Sequence, residues 1–372
     1  MRCWFIVTVC ACSSASSAVP VPVPVPAPVP VPVPPRVKPI TIGDAAVTGR
    51  VMEARLVAAV DGAATDRPAY ARLDQPVTLF AVILVDHAGK RAAYSDATSL
   101  IFDGKRVTTR PIAQAPAIEL RWNRIEPATA AMTNGDTPAD FRFAAIDYRA
   151  TPIDGAHGRA SITADVRPTL TTDHGHGVGT MRYQIVALQG DHVIASPGPE
   201  ARRGKGSGGV SDAVLRVSIR RDDTYLGYLT EMYGQPYIWA SAGMSDAGHQ
   251  SEHLEGSDCA DFVIYGKRRA GAKLAYTWTG GLPQVTSLVA AGTRDDHGIY
   301  RDKTGTPLPF TKPGDLVLFP RHVGVLSVDR GTLGVLDDQD LMMHTLFDSP
   351  KEQAIGETSY ADKPLELRRF RR

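Results

Sequence analysis

The chain has 372 residues, with 41 lysines and arginines against 40 aspartates and glutamates, a formal net charge of +1 and 43% hydrophobic residues. This charge balance gives no whole-molecule argument for nucleic acid or an acidic partner, and the hydrophobic share excludes global disorder. No apolar run reaches the roughly 18 residues that a membrane span requires. At about 100–200 residues per domain, the length leaves room for two domains and terminal tails.

Residues 1–18 have the pattern of an export signal. Arg2 gives a positive start, residues 3–12 are mainly apolar, and residues 16–18 are small enough for cleavage. Residues 9–12 resemble a lipoprotein box, in which Cys12 would carry a lipid and tether the protein to a membrane. The alternative is a plain apolar signal core. We therefore expect export to the periplasm or cell envelope, with or without a lipid anchor.

Residues 19–39 form a Val-Pro-rich linker that holds ten of the 28 prolines. Because proline fixes φ and lacks an N–H, this stretch cannot join a helix or a sheet interior. We expect an extended polyproline II stalk of roughly 60 Å, at about 3.1 Å per residue. The alternative is an untethered, disordered tail.

Residues 40–220 show a β pattern throughout and predict an antiparallel, sandwich-like region of one or two modules. Short runs of β-branched and aromatic residues recur there, separated by Gly, Pro, Asn and Asp. The runs lie at residues 76–85, 99–107, 118–125, 141–148, 160–166, 181–188 and 213–219. His174 and His176 could form half of a metal site, but two histidines in a Gly-rich loop are more often exposed to solvent.

A second domain is predicted at residues 221–372. It begins after the Gly-rich loop 202–209, with Asp222 and Asp223 capping a helix at residues 224–233 that ends at Gly234. Residues 257–271 predict a second helix, with Asp258 as N-cap and Gly271 as its stop.

Cys259 occupies the first position of that second helix. The helix dipole and the free N–H groups there favour a thiolate, the form that a nucleophilic cysteine requires. The alternative is a small buried apolar residue. The other three cysteines lie within the first twelve residues, so the folded body cannot hold a disulfide framework.

Two histidines follow Cys259 on predicted strands. His322 begins the second strand of a pair, after the strand at residues 313–319 and a tight Pro-Arg connection. There its imidazole could take the thiol proton of Cys259. His344 lies in a third apolar run, at residues 341–347, and could orient His322 through its other ring nitrogen. Taken singly, each histidine is more often a packed or surface residue.

Five motifs in this order resemble the NlpC/P60 family of papain-like cysteine peptidases of the bacterial cell wall. They are Gly-Gln-Pro-Tyr-Ile-Trp (234–239), Ser-Asp-Cys-Ala (257–260), Pro-Gly-Asp-Leu-Val-Leu-Phe (313–319), His-Val-Gly-Val (322–325) and Met-Met-His-Thr (342–345). The match covers roughly residues 222–350. The resemblance implies Cys259 as nucleophile, His322 as base, His344 as the orienting residue and Tyr237 as part of the oxyanion site.

Combined with the β pattern of residues 40–220, the same resemblance implies an α+β architecture. An N-terminal antiparallel sandwich-like region would precede a papain-like NlpC/P60 domain, with its Cys-bearing helix packed on an antiparallel sheet. The activity it implies is hydrolysis of peptide bonds in the peptidoglycan stem, often between D-glutamate and diaminopimelate. It implies no cofactor and no metal, and its partner is peptidoglycan or its stem peptides. Nucleic acid is not expected, and the sequence predicts no oligomeric state.

The chain departs from the family pattern at several positions. The usual Asp-Cys-Ser-Gly is here Asp-Cys-Ala-Asp, so Asp261 stands beside the nucleophile, where a carboxyl group facing it would raise the thiol pKa. The usual Trp-Gly-Gly is Trp-Ala-Ser at residues 239–241. About ten additional residues, through 329–340, separate His322 from His344. This leaves the aspartates of that segment, at 337, 338 and 340, as substitutes for His344.

Three other interpretations remain open. His249 and His253, four residues apart, could bind zinc together with Cys259, although a convincing fourth ligand is missing. The C-terminal domain could be a catalytically silent module that binds the cell wall or acts as a scaffold. It could also be an acyltransferase or amidase that acts on a lipid or a protein. The inserted residues 244–256 are a candidate for an inhibitory loop over the site.

Overall fold

The computed structural model describes residues 40–137, 142–204, 206–243 and 245–371. The predicted export signal (1–18), the Val-Pro-rich linker (19–39) and the candidate lipid site at Cys12 lie outside these residues. Strands make up 40% and helices 11% of the structure, a mixed composition consistent with the predicted α+β class. None of the described helices is long and apolar enough to cross a membrane.

The N-terminal half of the described chain consists of strands with short connections. In chain order these are β1 (Thr41–Ile42), β2 (Arg50–Ala59), β3 (Ala64–Thr65), β4 (Ala69–Arg72), β5 (Thr78–His87), β6 (Lys90–Tyr94), β7 (Leu100–Phe102), β8 (Lys105–Val107), β9 (Ile118–Pro127), β10 (Ala131–Thr133), β11 (Tyr148–Pro152), β12 (Ser161–Thr163), β13 (Gly179–Gln189), β14 (His192–Ala195) and β15 (Arg216–Arg220).

The C-terminal half adds three α-helices and a third sheet. Its elements are α1 (Tyr225–Leu229), β16 (Tyr237–Trp239), α2 (Cys259–Arg269), α3 (Leu282–Val285), β17 (Thr286–Arg294), β18 (Tyr300–Arg301), β19 (Leu316–Phe319), β20 (His322–Val328), β21 (Leu341–His344), β22 (Lys351–Ala354) and β23 (Leu365–Phe370).

Two sheets of the N-terminal half pack around a shared core. One has the order β1-β9-β13-β15-β4, with β11 and β14 added to β9 and β13, and the other has the order β12-β5-β2-β3-β7-β8, with β6 added to β5. Trp122 and Tyr183 of the first sheet and Ile83 of the second belong to the same buried cluster. Most pairs are antiparallel, as predicted, but β15 pairs with β4 and β3 with β7 in parallel.

Several strand predictions are confirmed and one is wrong. The runs at 118–125 and 181–188 lie within β9 and β13. The run at 99–107 folds into two short strands, because Asp103 and Gly104 both take positive φ and turn the chain. The run at 141–148 is wrong: its described residues before Tyr148 form no strand. The apolar pattern of this run has another cause: the side chains of Phe143 and Ile146 are buried, although the loop that contains them forms no strand.

The core continues across the predicted boundary at residues 220/221. The described residues from 40 onward form one compact unit, and a single buried cluster runs from β2 in the N-terminal half to Phe370. Polar contacts also cross the boundary: the Arg182 guanidinium, on β13, donates to Gln235 Oε1 at 3.1 Å and to the Leu254 carbonyl at 2.9 Å. The two halves are therefore continuous in structure.

Helix α2 packs on β20 and β21 of the third sheet, whose order is β18-β17-β23-β19-β20-β21-β22. Side chains of β19 alternate between two faces: Leu316 and Leu318 join the core under α2, while Val317 and Phe319 join a second cluster on the other face. The histidines at the ends of β20 and β21 are thereby held beside the helix.

Candidate active site

Cys259 is the first residue of α2, and Asp258 is its N-cap, as predicted. Asp258 Oδ1 accepts hydrogen bonds from the backbone N–H groups of Ala260 and Asp261, both at 2.9 Å. These two N–H groups would otherwise lack an intrahelical partner. The Cys259 N–H makes no hydrogen bond to the described residues. It is therefore the donor at this helix end that remains available to a ligand.

Strand β16 brings Tyr237 to the start of α2. The Ile238 N–H donates to the Ser257 carbonyl at 3.0 Å, directly before the N-cap. Gly256 has a φ of +142°, and a Cβ there would lie 2.4 Å from the Pro236 carbonyl oxygen, so glycine is required for this close approach. Tyr237 and Cys259 consequently line the same surface groove beside the N-terminus of α2. The Tyr237 hydroxyl makes no hydrogen bond within the described chain.

His322 and His344 contact each other directly. His322 is the first residue of β20 and His344 the last of β21, and His322 Nε2 lies 2.9 Å from His344 Nδ1. Gly324 allows this approach, since a Cβ there would lie 2.7 Å from Met342 Sδ and 3.3 Å from His344 Cβ. The other ring nitrogen of His322, Nδ1, is buried without a hydrogen-bond partner in the described structure.

Aspartates of the long connection between β20 and β21 make hydrogen bonds and an ion pair that stabilise the folded conformation of this connection. Asp340 accepts from the Arg330 and Asp337 N–H groups, both at 2.8 Å, and Asp338 pairs with Arg294 at 2.6 Å. Of the alternatives for the third residue, His344 is the one that contacts His322.

Aromatic rings enclose the His322 imidazole. The Phe319 ring is nearly parallel to it, with centroids 6.2 Å apart, and the Tyr360 ring lies 5.0 Å away. These rings pack near the imidazole, which is fully buried. Tyr360 could not be predicted as a site residue, because nothing in residues 358–361 separates this tyrosine from an ordinary surface residue.

Burial dominates the electrostatics of the candidate dyad. It raises the pKa of the Cys259 thiol to about 12; Asp258 adds to this shift, and the Val323 N–H acts on the sulfur in the opposite direction. Burial, followed by His344, lowers the pKa of His322 well below its usual value. The raised thiol pKa and the lowered imidazole pKa both oppose the predicted resting thiolate and favour a neutral thiol and a neutral imidazole. No hydrogen bond joins Sγ to the imidazole in the described residues.

Behind α2, Ser241 connects the cap to a second buried carboxyl group. Ser241 Oγ accepts from the Asp258 N–H at 2.9 Å and donates to Asp261 Oδ2 at 2.5 Å. Asp261 Oδ2 also lies 3.3 Å from His249 Nε2, and His249 stacks on Tyr276 with centroids 3.8 Å apart. The carboxyl of Asp261 is thus committed to this cluster, although it still contributes to the raised thiol pKa.

The candidate zinc ligands are not assembled into a metal site. His249 is occupied by Asp261 and Tyr276, and His174, of the other candidate pair, lies 3.1 Å from Asp348. Within the described ranges, no group of three or more His, Cys, Asp and Glu side chains is placed to hold a metal ion. Segment 244–256 does not cover the site either, since none of its described residues lines the groove.

Cys259 opens into a groove of about 780 Å³, named here the Cys259 groove. The side chains that line it are mainly apolar and come from both halves of the chain. They are Ala131, Met132, Thr133, Tyr237, Trp239, Asp258, Cys259, Ala260, Trp278, Thr279, Pro320, Arg321, Leu346, Phe347 and Tyr360. The first three belong to β10, which pairs in parallel with β16. The contribution of β10 to the groove could not be predicted from the sequence, because a three-residue strand gives no periodic signal.

Three exposed aromatic side chains form the rim of the Cys259 groove. Trp239 is 53% exposed, Trp278 74% and Phe347 73%. Phe347 also has a φ of +52°, a conformation that is costly for a bulky residue and that proteins tend to keep at functional positions. Exposed aromatic residues around a concave site are typical of ligand binding.

Comparison of the chain with protein-family models, with curated proteins and with solved structures found no match.

Proposed function

We propose that this protein is an exported cysteine hydrolase of the NlpC/P60 type, with a papain-like C-terminal part. Its substrate would be an amide bond in peptidoglycan stem peptides, of the D-glutamyl–diaminopimelate kind, in the periplasm or cell envelope. The observation that carries the proposal is the contact of His322 Nε2 with His344 Nδ1, at 2.9 Å, on the strand against which the Cys259 helix packs. This arrangement leaves one imidazole nitrogen of His322 for the thiol.

Acylation would begin without a preformed thiolate. As the scissile carbonyl approaches, His322 Nδ1 takes the Cys259 proton while the S–C bond forms and the carbonyl electrons move to oxygen. The Cys259 N–H and the Tyr237 hydroxyl make no hydrogen bond within the described chain, and they would bind the oxyanion. Burial raises the pKa of Tyr237, which keeps the hydroxyl protonated as a donor.

The same groups complete acylation and then carry out deacylation. The tetrahedral intermediate collapses, the C–N bond breaks, and His322 gives its proton to the leaving amine. Water then attacks the thioester while His322 takes a proton from it, and the acid product leaves as the thiol is restored. His344 would keep the imidazole in the tautomer that has its lone pair on Nδ1.

Digestion of purified muropeptides tests this function. Wild type, Cys259→Ala and the surface control His297→Ala would each be incubated with muropeptides, and the products identified by mass spectrometry. We expect wild type and His297→Ala to cleave one stem-peptide bond and Cys259→Ala to cleave none. Intact muropeptides with folded wild-type protein would instead favour a silent wall-binding or scaffolding module.

A second function, acyl transfer to or from a lipid, is favoured by one observation. The groove is largely apolar, and its rim exposes Trp239, Trp278 and Phe347. An acyl chain could lie along these side chains. Appearance of an acylated lipid, with no stem-peptide bond cut, would replace the peptidase assignment by this one.

A further inference from the structure

Arg321 lies directly before His322, in the two-residue connection between β19 and β20. Phe319 and His322 pair across this connection, so the position of Arg321 is fixed by the hairpin that positions the candidate base. Its side chain is exposed and lines the Cys259 groove.

Arg321 has no ion-pair or hydrogen-bond partner among the described residues, and it is the one basic side chain that lines the groove. The acidic residue that lines the same groove is Asp258, whose Oδ1 is already used by two N–H groups of α2. A guanidinium presents a planar set of donors that matches a carboxylate. In an open groove its charge stays hydrated, so its desolvation costs little free energy.

We propose that Arg321 binds a free carboxylate of the substrate close to the scissile acyl carbon, and so selects acidic over amidated substrates. This inference rests on the proposed function. A γ-linked D-glutamyl residue carries its α-carboxylate a few bonds from the amide that would be cut, and amidation converts that group into an uncharged carboxamide. Arg321 thereby becomes a specificity-determining residue rather than a part of the bond-breaking chemistry.

The test uses two stem peptides that differ only at the α-carboxyl of the glutamyl residue, one with the carboxylate and one with the carboxamide. Both are given to full-length wild type, Arg321→Gln, Arg321→Lys and Arg330→Gln. Arg330 is a matched control, because it is also exposed on a β20 connection but does not line the groove. The readout is the ratio of kcat/KM for the two peptides.

We expect wild type and Arg330→Gln to prefer the carboxylate peptide about tenfold, and Arg321→Gln to cleave both peptides at nearly equal rates. Arg321→Lys should keep part of the preference, since lysine retains the positive charge but lacks the planar pair of donors that binds both carboxylate oxygens. A ratio in Arg321→Gln equal to that of wild type, or no preference in wild type, overturns the inference and leaves the hydrolase proposal standing. Cleavage of neither peptide by wild type overturns both.

Discussion

His322 Nε2 lies 2.9 Å from His344 Nδ1, and both rings are buried. This contact engages one nitrogen of His322, and in the proposed mechanism the other nitrogen takes the thiol proton. We expect His344→Ala to reduce kcat by about 10²-fold, because general base catalysis is worth about 10²–10⁴ and the base itself remains. His344→Asn should recover part of the loss and restore the pH profile, which a purely structural role would not do.

His297→Ala serves as the control for that series, since His297 is exposed and lies outside the groove. Steady-state kinetics over a pH range provides the measurement. Full activity of His344→Ala would contradict the orienting role.

Tyr237→Phe removes one of the two proposed oxyanion donors. We expect kcat to fall by about 10²–10³ with little change in KM, since the bond to the oxyanion strengthens only in the transition state. The substitution should not destabilise the fold, because the Tyr237 hydroxyl makes no hydrogen bond within the described chain. A rise in KM at constant kcat would instead make Tyr237 a residue that binds the ground state.

Alkylation of Cys259 by iodoacetamide should depend steeply on pH. Only the thiolate reacts, and burial raises the thiol pKa to about 12. Below that value the thiolate fraction grows about tenfold per pH unit, so the rate should rise throughout pH 7–9 and stay at least about a hundredfold below that of free cysteine. Mass spectrometry of the peptide that contains Cys259 measures the rate.

A rate that is independent of pH near neutrality would show a preformed thiolate–imidazolium pair and contradict the neutral resting state. Slow alkylation alone does not indicate a silent domain, because a buried general-base mechanism predicts the same slow reaction.

Trp278→Ala should weaken substrate binding without affecting the chemistry. The side chain is 74% exposed on the rim, so its removal costs little stability, and we expect KM to rise while kcat is unchanged. Leu333→Ala is a matched control, because Leu333 is 78% exposed and does not line the groove. Equal KM values for Trp278→Ala and wild type would show that Trp278 on the rim does not contribute to substrate binding.

The helix and strands around the candidate site could be predicted because their signals are local. Asp258 before Cys259 marks a helix start, and Pro-Arg between two apolar runs marks the tight connection before His322. Asp222 and Asp223 were predicted to cap α1, but Thr224 is the cap: its side chain accepts from the Gly227 N–H. Neighbouring cap-forming residues compete for the same role, so the exact start is poorly defined by sequence.

The groove could not be predicted, because its walls come from distant parts of the chain. Met132 reaches it through a three-residue parallel pairing with β16, and Tyr360 through packing against His322. The effect of burial on the thiol pKa was missed for the same reason. The helix start alone favours a thiolate, whereas burial by remote side chains opposes it and prevails.

The most direct test of the central claim is the mass of Cys259 during turnover. Wild type and Cys259→Ala would be mixed with a stem peptide, quenched in acid and digested, and the peptide containing residue 259 analysed by mass spectrometry. We predict that wild type cleaves the substrate and carries the acyl half of the cut peptide as a thioester on Cys259, and that Cys259→Ala neither cleaves nor acquires mass. Cleavage by Cys259→Ala at the wild-type rate would contradict the account.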